Sequence, residues 1–143
     1  SGGSQLAALQ RLAVDHPNIH FTGWVSDEQL RSLVGRCIAT VYLPIEEDFG
    51  MSPVESMAAG KPVLGVSEGG LRETVISGQT GLLLDPEDLL EPSHSAESIS
   101  AAVEKLAPDR ALGMRSDCDR RAREFDSSRF HRRFADFIRD PSG

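Results

Sequence analysis

The sequence predicts an α/β fold: a Rossmann-like parallel sheet with helices on both faces, followed by C-terminal helices. Three observations predict this class. Short β-branched runs alternate with amphipathic stretches as far as Asp85, the pattern of βαβ units. Residues 38–45 are almost continuously apolar, which is typical of a parallel strand buried on both faces. Strand-like runs then stop. We therefore divide the chain into an α/β part, 1–90, and a helical part, 91–143.

The first elements are predicted from spacing and capping signals. Residues 4–16 place apolar side chains at helical intervals, and Pro17 ends that pattern. Residues 19–25 (IHFTGWV) are β-branched and aromatic, so they predict a strand. Residues 26–28 (SDE) resemble the cap and acidic first turn of a helix that continues to residue 37.

The remaining elements continue the alternation. The sequence predicts strands at 38–45, 61–67 and 80–85, helices at 52–60 and 69–78, a polar loop at 86–95, and helices at 95–107, 111–125 and 127–140.

Composition excludes several functional classes. A net charge of −7 over 143 residues argues against nucleic acid as the main partner. No apolar run approaches the ~20 residues of a membrane span, and the N-terminus lacks signal-peptide features. A cytoplasmic protein is expected. Cys37 and Cys118 lack metal or redox spacing and predict free thiols, and the scattered histidines give no support for zinc.

The C-terminal part concentrates positive charge. Nine of the fifteen basic residues lie in the last 34 positions, interleaved with six acids. A solvated helix face is the favoured interpretation, and contact with a membrane surface is the alternative.

Residues 46–56, EEDFGMSPVES, are the stretch that predicts chemistry. They follow a buried strand and precede a helix, the place where open α/β sheets bind ligands. Acidic residues there suit the hydroxyls of a sugar or ribose better than phosphate. Pro53 fits only the first helical turn, so the helix begins near residues 50–52. Local rules leave Glu55 open between a capping box with Ser52 and a ligand contact.

Residues 46–85, with the glutamates Glu47 and Glu55 separated by seven residues, strongly resemble the donor-binding domain of GT-B glycosyltransferases of retaining family 4. The similarity continues upstream through NIHFTGWVSDEQL and downstream through RRAREFDSSRF. Within this family the E-D-F-G form followed by S-E-G-G is most similar to mannosyltransferases of the WbaZ type, which suggests GDP-mannose.

The resemblance implies a role for each matching position. Glu47 would be the catalytic-site carboxylate that hydrogen-bonds donor-sugar hydroxyls. Backbone amides of Phe49, Gly50 and Met51 would assist it, and Met51 would also pack beside the nucleoside. Glu55 would take the ribose hydroxyls. The loop after residues 19–25 would contact the base through Val25 and Asp27. Glu46 and Asp48 are interpreted as solvated neighbours.

The same resemblance implies a front-face displacement without a covalent intermediate. The donor diphosphate would help deprotonate the acceptor, so the site would act by positioning and charge stabilisation. No cofactor and no metal is expected. A metal bound by the acidic triplet is the competing chemical idea, but adjacent residues on one loop rarely converge on one cation.

The sequence departs from the family pattern at its start. The first two βα units, with the Arg and Lys that hold the diphosphate, are absent, and Ser1–Ser4 is either a native turn or an added linker. We therefore expect a partial donor-binding domain whose missing strands come from elsewhere in a longer protein or from another chain, and which is inactive alone. The parent would transfer a hexose to a glycan or lipid-linked acceptor, in the cytoplasm or at the inner membrane face. A non-catalytic Rossmann-like interaction or regulatory module is the alternative.

Overall fold

The structure, a computed structural model, describes residues 3–44 and 50–139. Two compact units divide the chain, residues 1–33 and 34–143. The first unit contains α1 (Leu6–Leu12) and most of α2 (Asp27–Arg36). Ser26 and Gln29 form a capping box at the start of α2: the Gln29 amide donates to Ser26 Oγ at 3.3 Å, and the Ser26 amide donates to Gln29 Oε1 at 2.9 Å. The predicted start of this helix is confirmed.

The strand predicted at residues 19–25 is wrong. This segment has no strand structure, Gly23 adopts a positive φ of 61°, and Trp24 is 88% exposed. A β-branched, aromatic run supplies side chains suited to a sheet, but a strand also requires a hydrogen-bonded neighbour. Within the described residues, every strand pairs elsewhere.

The second unit contains a three-stranded parallel sheet in the order β1-β2-β3. Its strands are β1 (Thr40–Tyr42), β2 (Val63–Val66) and β3 (Gly81–Leu84). Thr40 lies opposite Val63, and Val63 lies opposite Gly81, so the first residues of the three strands are aligned across the sheet. All four residues of β2, the central strand, are buried. The burial on both faces expected for residues 38–45 is wrong: the strand there is the three-residue β1 at the edge of the described sheet, and Val41 is 57% exposed.

Helices connect and follow these strands. They are α3 (Met51–Ala58), α4 (Leu71–Thr74), a 3-10 helix (Pro86–Leu89), α5 (Pro92–Lys105), α6 (Pro108–Gly113), α7 (Arg115–Ala122), a second 3-10 helix (Arg123–Phe125) and α8 (Ser127–Arg139). The predicted fold class is confirmed. The single helix expected at 111–125 is instead α6, α7 and a 3-10 turn. Gly113, a poor helix former, ends α6, and Met114 beside it is buried in the core.

The core of the second unit joins the sheet to the C-terminal helices. Met57 and Leu64 are fully buried, and Leu106, Met114 and Cys118 pack into the same cluster. Both cysteines are free thiols, as predicted. Cys118 Sγ donates to the Thr80 carbonyl oxygen at 3.6 Å. Burial and the nearby Asp117 raise the pKa of Cys118 to about 11, so this thiol stays protonated at neutral pH.

Candidate functional site

The start of α3 lies at the carboxyl edge of the sheet. Gly50 caps this helix in the left-handed conformation, with φ of 73° and ψ of 72°, and Met51 is the first helical residue. The predicted start near residues 50–52 is confirmed. Pro53 occupies the third helical position, where its missing N–H has no helical partner to lose. The amides of the first turn therefore face the edge where α/β sheets bind ligands.

Leu71, the first residue of α4, packs directly under this cap. A Cβ added at Gly50 would lie 3.2 Å from Leu71 Cδ1, and one added at Gly65 in β2 would lie 2.6 Å from Leu71 Cδ2. Leu71 is fully buried. The same side chain thus fills the space that two glycines leave, and it couples β2 to the cap of α3.

Met51 and Glu55 lie one turn apart on the exposed face of α3. Positions i and i+4 of a helix share a face, and both residues are exposed, Met51 by 53%. The capping-box interpretation of Glu55 is wrong, because Ser52 is the second helical residue and Gly50 is the cap. Glu55 thus stands beside Met51, the arrangement that the ligand-contact hypothesis requires.

The opposite face of α3 fixes the orientation of this pair. Pro53, Val54 and Met57 are buried against the core. The Thr40 hydroxyl donates to Ser56 Oγ at 2.9 Å, which links β1 to α3. With one face held by apolar contacts and this bond, Met51 and Glu55 project from a fixed helix rather than from a loop.

The other predicted site residues either lie outside the described residues or belong to the first unit. Glu47 and Phe49, with Glu46 and Asp48, lie outside the described residues. Val25 is half-buried just before α2, and Asp27 is exposed as the first residue of that helix. These two belong to the first unit. The structure therefore brings together Gly50, Met51 and Glu55.

Arg121 on α7 supports α4 in a way that the sequence did not indicate. Its Nε donates to the Thr74 carbonyl oxygen at 3.0 Å, and its terminal nitrogens donate to the Glu73 carbonyl oxygen and to Glu124. The guanidinium also lies over the Phe125 ring, 4.9 Å from its centroid. Several arginines crowd this part of the chain, and no sequence signal separates Arg121 from its neighbours.

Two cavities lie at the other end of α3. One of about 500 Å³ is lined by residues 58–60 with Arg115 and Asp119, and one of about 260 Å³ includes Cys37 and Lys61. Desolvation raises the pKa of Cys37, opposed in part by the charge of Lys61. Both cavities adjoin the amino end of β2. A donor bound at the carboxyl edge would not occupy them.

The described residues contain neither a metal-ligand cluster nor a membrane-spanning helix. Across residues 3–44 and 50–139, no cluster of three or more His, Cys, Asp or Glu could hold a metal ion. The predicted acidic triplet lies outside those ranges. None of the described helices is both long enough and apolar enough to cross a bilayer.

The chain matches one known protein family over most of its length. The sequence profile of the family described as glycosyl transferases group 1 matches residues 2–125. The chain is 31% identical over 97 residues to the alpha-1,3/1,6-mannosyltransferase ALG2 of Mus musculus, covering 68% of this chain and 22% of that protein. It is 35% identical over 95 residues to glycogen synthase of Mycobacterium tuberculosis, covering 66% of this chain and 21% of that enzyme. The chain thus spans about a fifth of the length of these curated relatives.

Solved structures share the fold. Sucrose-phosphate synthase from Thermosynechococcus elongatus superposes with a TM-score of 0.78 at 25% identity, covering 94% of this chain and 33% of that one. HepE from Anabaena, solved in complex with UDP and glucose, superposes with a TM-score of 0.69 at 24% identity, covering 94% of this chain and 35% of that one.

Proposed function

Because the chain belongs to the group 1 glycosyl transferases and has the Rossmann-like fold of GT-B enzymes, we propose that it binds the donor in a retaining hexosyltransferase. The observation that carries this proposal is the pairing of Met51 and Glu55 on the exposed face of α3. A carboxylate with two acceptor oxygens can accept bonds from both hydroxyls of a ribose. A thioether one turn away offers an apolar surface for the nucleoside.

The remaining proposed roles are those that the family resemblance implies. Glu47 hydrogen-bonds hydroxyls of the donor sugar, and the amides of Phe49, Gly50 and Met51 assist it. Glu55 holds the ribose, and Val25 and Asp27 contact the base. Amides fixed at a helix N-terminus stabilise negative charge without reorganisation during the reaction. The acceptor is deprotonated with help from the leaving diphosphate, so neither a protein nucleophile nor a metal takes part.

GDP-mannose is the proposed donor. Relatives named alpha-1,3/1,6-mannosyltransferase support mannose. Because HepE was solved in complex with UDP and glucose, UDP-sugars are tested beside GDP-mannose. The proposed acceptor is a glycan or a lipid-linked glycan in the cytoplasm, bound through residues outside this chain. Transfer by the 143-residue chain alone is not expected.

Donor binding can be tested on the chain itself by saturation-transfer difference NMR, which detects weak ligands. We expect transfer to the ribose and base protons of GDP-mannose in preference to those of UDP-glucose. Glu55→Ala should abolish the ribose signal, because it removes both acceptor oxygens. Glu104→Ala, at an exposed position on α5, is the matched control and should change nothing. An undiminished ribose signal in the Glu55 variant would refute the assignment.

Catalysis can be tested with the full-length gene product and a panel of GDP- and UDP-sugars. We expect Glu47→Ala to lower kcat/KM at least about 100-fold, the size of effect seen when one transition-state contact is lost. Glu55→Ala, which removes a ribose contact, should lower kcat/KM at least about tenfold, chiefly by raising KM. Transfer should continue in EDTA, whereas loss of activity on chelation would support a metal bound by the acidic triplet. A folded protein that neither binds nor transfers any donor would instead indicate a non-catalytic interaction module.

A further inference from the structure

The short helix α4 (Leu71–Thr74) is held at its carboxyl end by a side chain from another helix. The last carbonyl groups of a helix have no partner within it. Arg121 on α7 donates from Nε to the Thr74 carbonyl oxygen at 3.0 Å and from a terminal nitrogen to the Glu73 carbonyl oxygen. The guanidinium therefore fixes where the end of α4 lies.

Arg121 is itself held in one orientation. Its guanidinium lies over the Phe125 ring and pairs with Glu124, and its side chain is only 21% exposed. Cys118 is fully buried and anchors α7 in the core, and α7 packs along α3. The same helix thus supports α3 directly and α4 through one side chain, so Arg121 sets the position of α4 relative to α3.

The first residue of α4 contacts the cap of α3. Leu71 is fully buried, and its Cδ1 lies 3.2 Å from the place that a Cβ on Gly50 would take. Because protein interiors are close-packed, a shift of Leu71 is transmitted to the buried cap at Gly50. Met51 follows the cap directly, and Glu55 lies one turn further along the same face. The placement of this pair therefore depends on where α4 lies.

We propose that Arg121 is a positioning residue for the donor site, acting through α4 and Leu71 on the cap of α3. This inference rests on the proposed function, because it requires that Met51 and Glu55 hold the nucleoside. One short helix joins the two contacts, with a hydrogen-bonded end at Arg121 and a packed end at Gly50. A misplacement of about 1 Å caused by a distant mutation can lower activity about 100-fold, so a small shift of the cap is sufficient.

The first test needs no donor. A nitrogen–proton correlation spectrum of the 143-residue chain resolves individual backbone amides, and we expect Arg121→Lys to move the resonances of Gly50 and Met51. An ammonium cannot reproduce the planar fork that reaches two carbonyl groups, so the end of α4 shifts. Arg120→Lys, on the same helix and 68% exposed, is the matched control and should leave both resonances in place. Unmoved resonances in the folded Arg121→Lys chain would overturn the proposal.

The second test separates positioning from stability, in the full-length gene product with the nucleotide sugar that the wild-type enzyme transfers. A purely structural role would lower the fraction of folded enzyme, which reduces the apparent kcat and leaves KM unchanged. A positioning role raises KM, because Met51 and Glu55 hold the nucleoside in the ground and transition states alike. We expect Arg121→Lys to raise the donor KM about three- to tenfold, within the range for a residue remote from the ligand. Arg120→Lys should leave KM unaltered.

A third variant tests the route through α4. Leu71→Val retracts the methyl group that approaches Gly50, so it should raise the donor KM on its own. Adding Arg121→Lys should then raise KM little further, because both changes act through one contact. Fully additive effects would show that Arg121 does not act through Leu71 and would overturn the proposal. Far-UV circular dichroism of every variant confirms that the fold is retained.

Failure of the proposed function and failure of this inference give different results. No donor binding and no transfer by the folded wild-type enzyme would refute both together. Transfer by the wild-type enzyme with an unchanged donor KM in Arg121→Lys would refute the positioning role alone.

Discussion

Replacing Arg121 with alanine should destabilise the second unit far more than replacing its arginine neighbours. Arg121 donates to the carbonyl oxygens of Glu73 and Thr74, which lie at the end of α4. A four-residue helix has little stability of its own. The guanidinium thus satisfies backbone acceptors that α4 cannot satisfy internally.

The magnitude follows from burial and charge. A hydrogen bond from a charged donor contributes about 1.5–3 kcal/mol, and the Arg121 side chain is only 21% exposed. The two carbonyl bonds share one guanidinium and are not additive, while the pair with the more exposed Glu124 adds little. We therefore expect Arg121→Ala to lower the free energy of unfolding by about 2–4 kcal/mol.

Urea unfolding followed by circular dichroism measures this loss. Arg120→Ala is the matched control, because Arg120 is on the same helix and pairs with Asp117 while 68% exposed; its cost should stay within about 1 kcal/mol. Arg121→Lys should fall between the two, since an ammonium cannot reproduce the planar fork. If Arg121→Ala costs no more than Arg120→Ala, the support assigned to Arg121 is wrong.

The remaining predictions concern glycine and cysteine positions. Gly50→Ala should lower the free energy of unfolding, measured in urea, more than Gly78→Ala does. Both positions have positive φ, but only at position 50 would the new Cβ meet Leu71. Equal losses in the two variants would refute that contact. Gly81→Ala should prevent stable folding, since its Cβ would lie 2.0 Å from the carbonyl oxygen of the paired strand; a folded variant with native circular dichroism would contradict this. The pKa of Cys118 is raised from 9.0 to about 11, so its contribution to stability is complete below pH 9 and is lost as pH rises towards about 11. Cys118→Ala should flatten that decline, and an identical pH profile in the variant would refute it.

The sequence was sufficient for elements whose evidence is local. The cap at Ser26, and the restriction that Pro53 places on the start of α3, each depend on neighbours within one helical turn, and the structure agrees with both. The strand predicted at 61–67 contains β2, whereas the burial predicted for the apolar run 38–45 did not occur, because β1 is a short edge strand of the described sheet.

Local evidence failed where a distant partner decides the outcome. Residues 19–25 have strand composition, yet pairing depends on a neighbour that composition cannot supply. Ser52 and Glu55 have the spacing of a capping box, but a glycine cap uses no side chain and leaves no such spacing, so the sequence could not reveal that Gly50 is the cap. Arg121 reaches back 47 positions to Thr74, a separation that no periodicity encodes.

Leu71 links the middle of β2 to the cap of α3, so a substitution in the strand can alter the geometry of the candidate donor site. Its two methyl groups touch the positions of Gly65 and Gly50, so added bulk in the middle of β2 would displace the cap from which Met51 and Glu55 project. We expect directed evolution of donor preference to select substitutions at position 65, although that residue is buried and would not itself contact the nucleotide sugar.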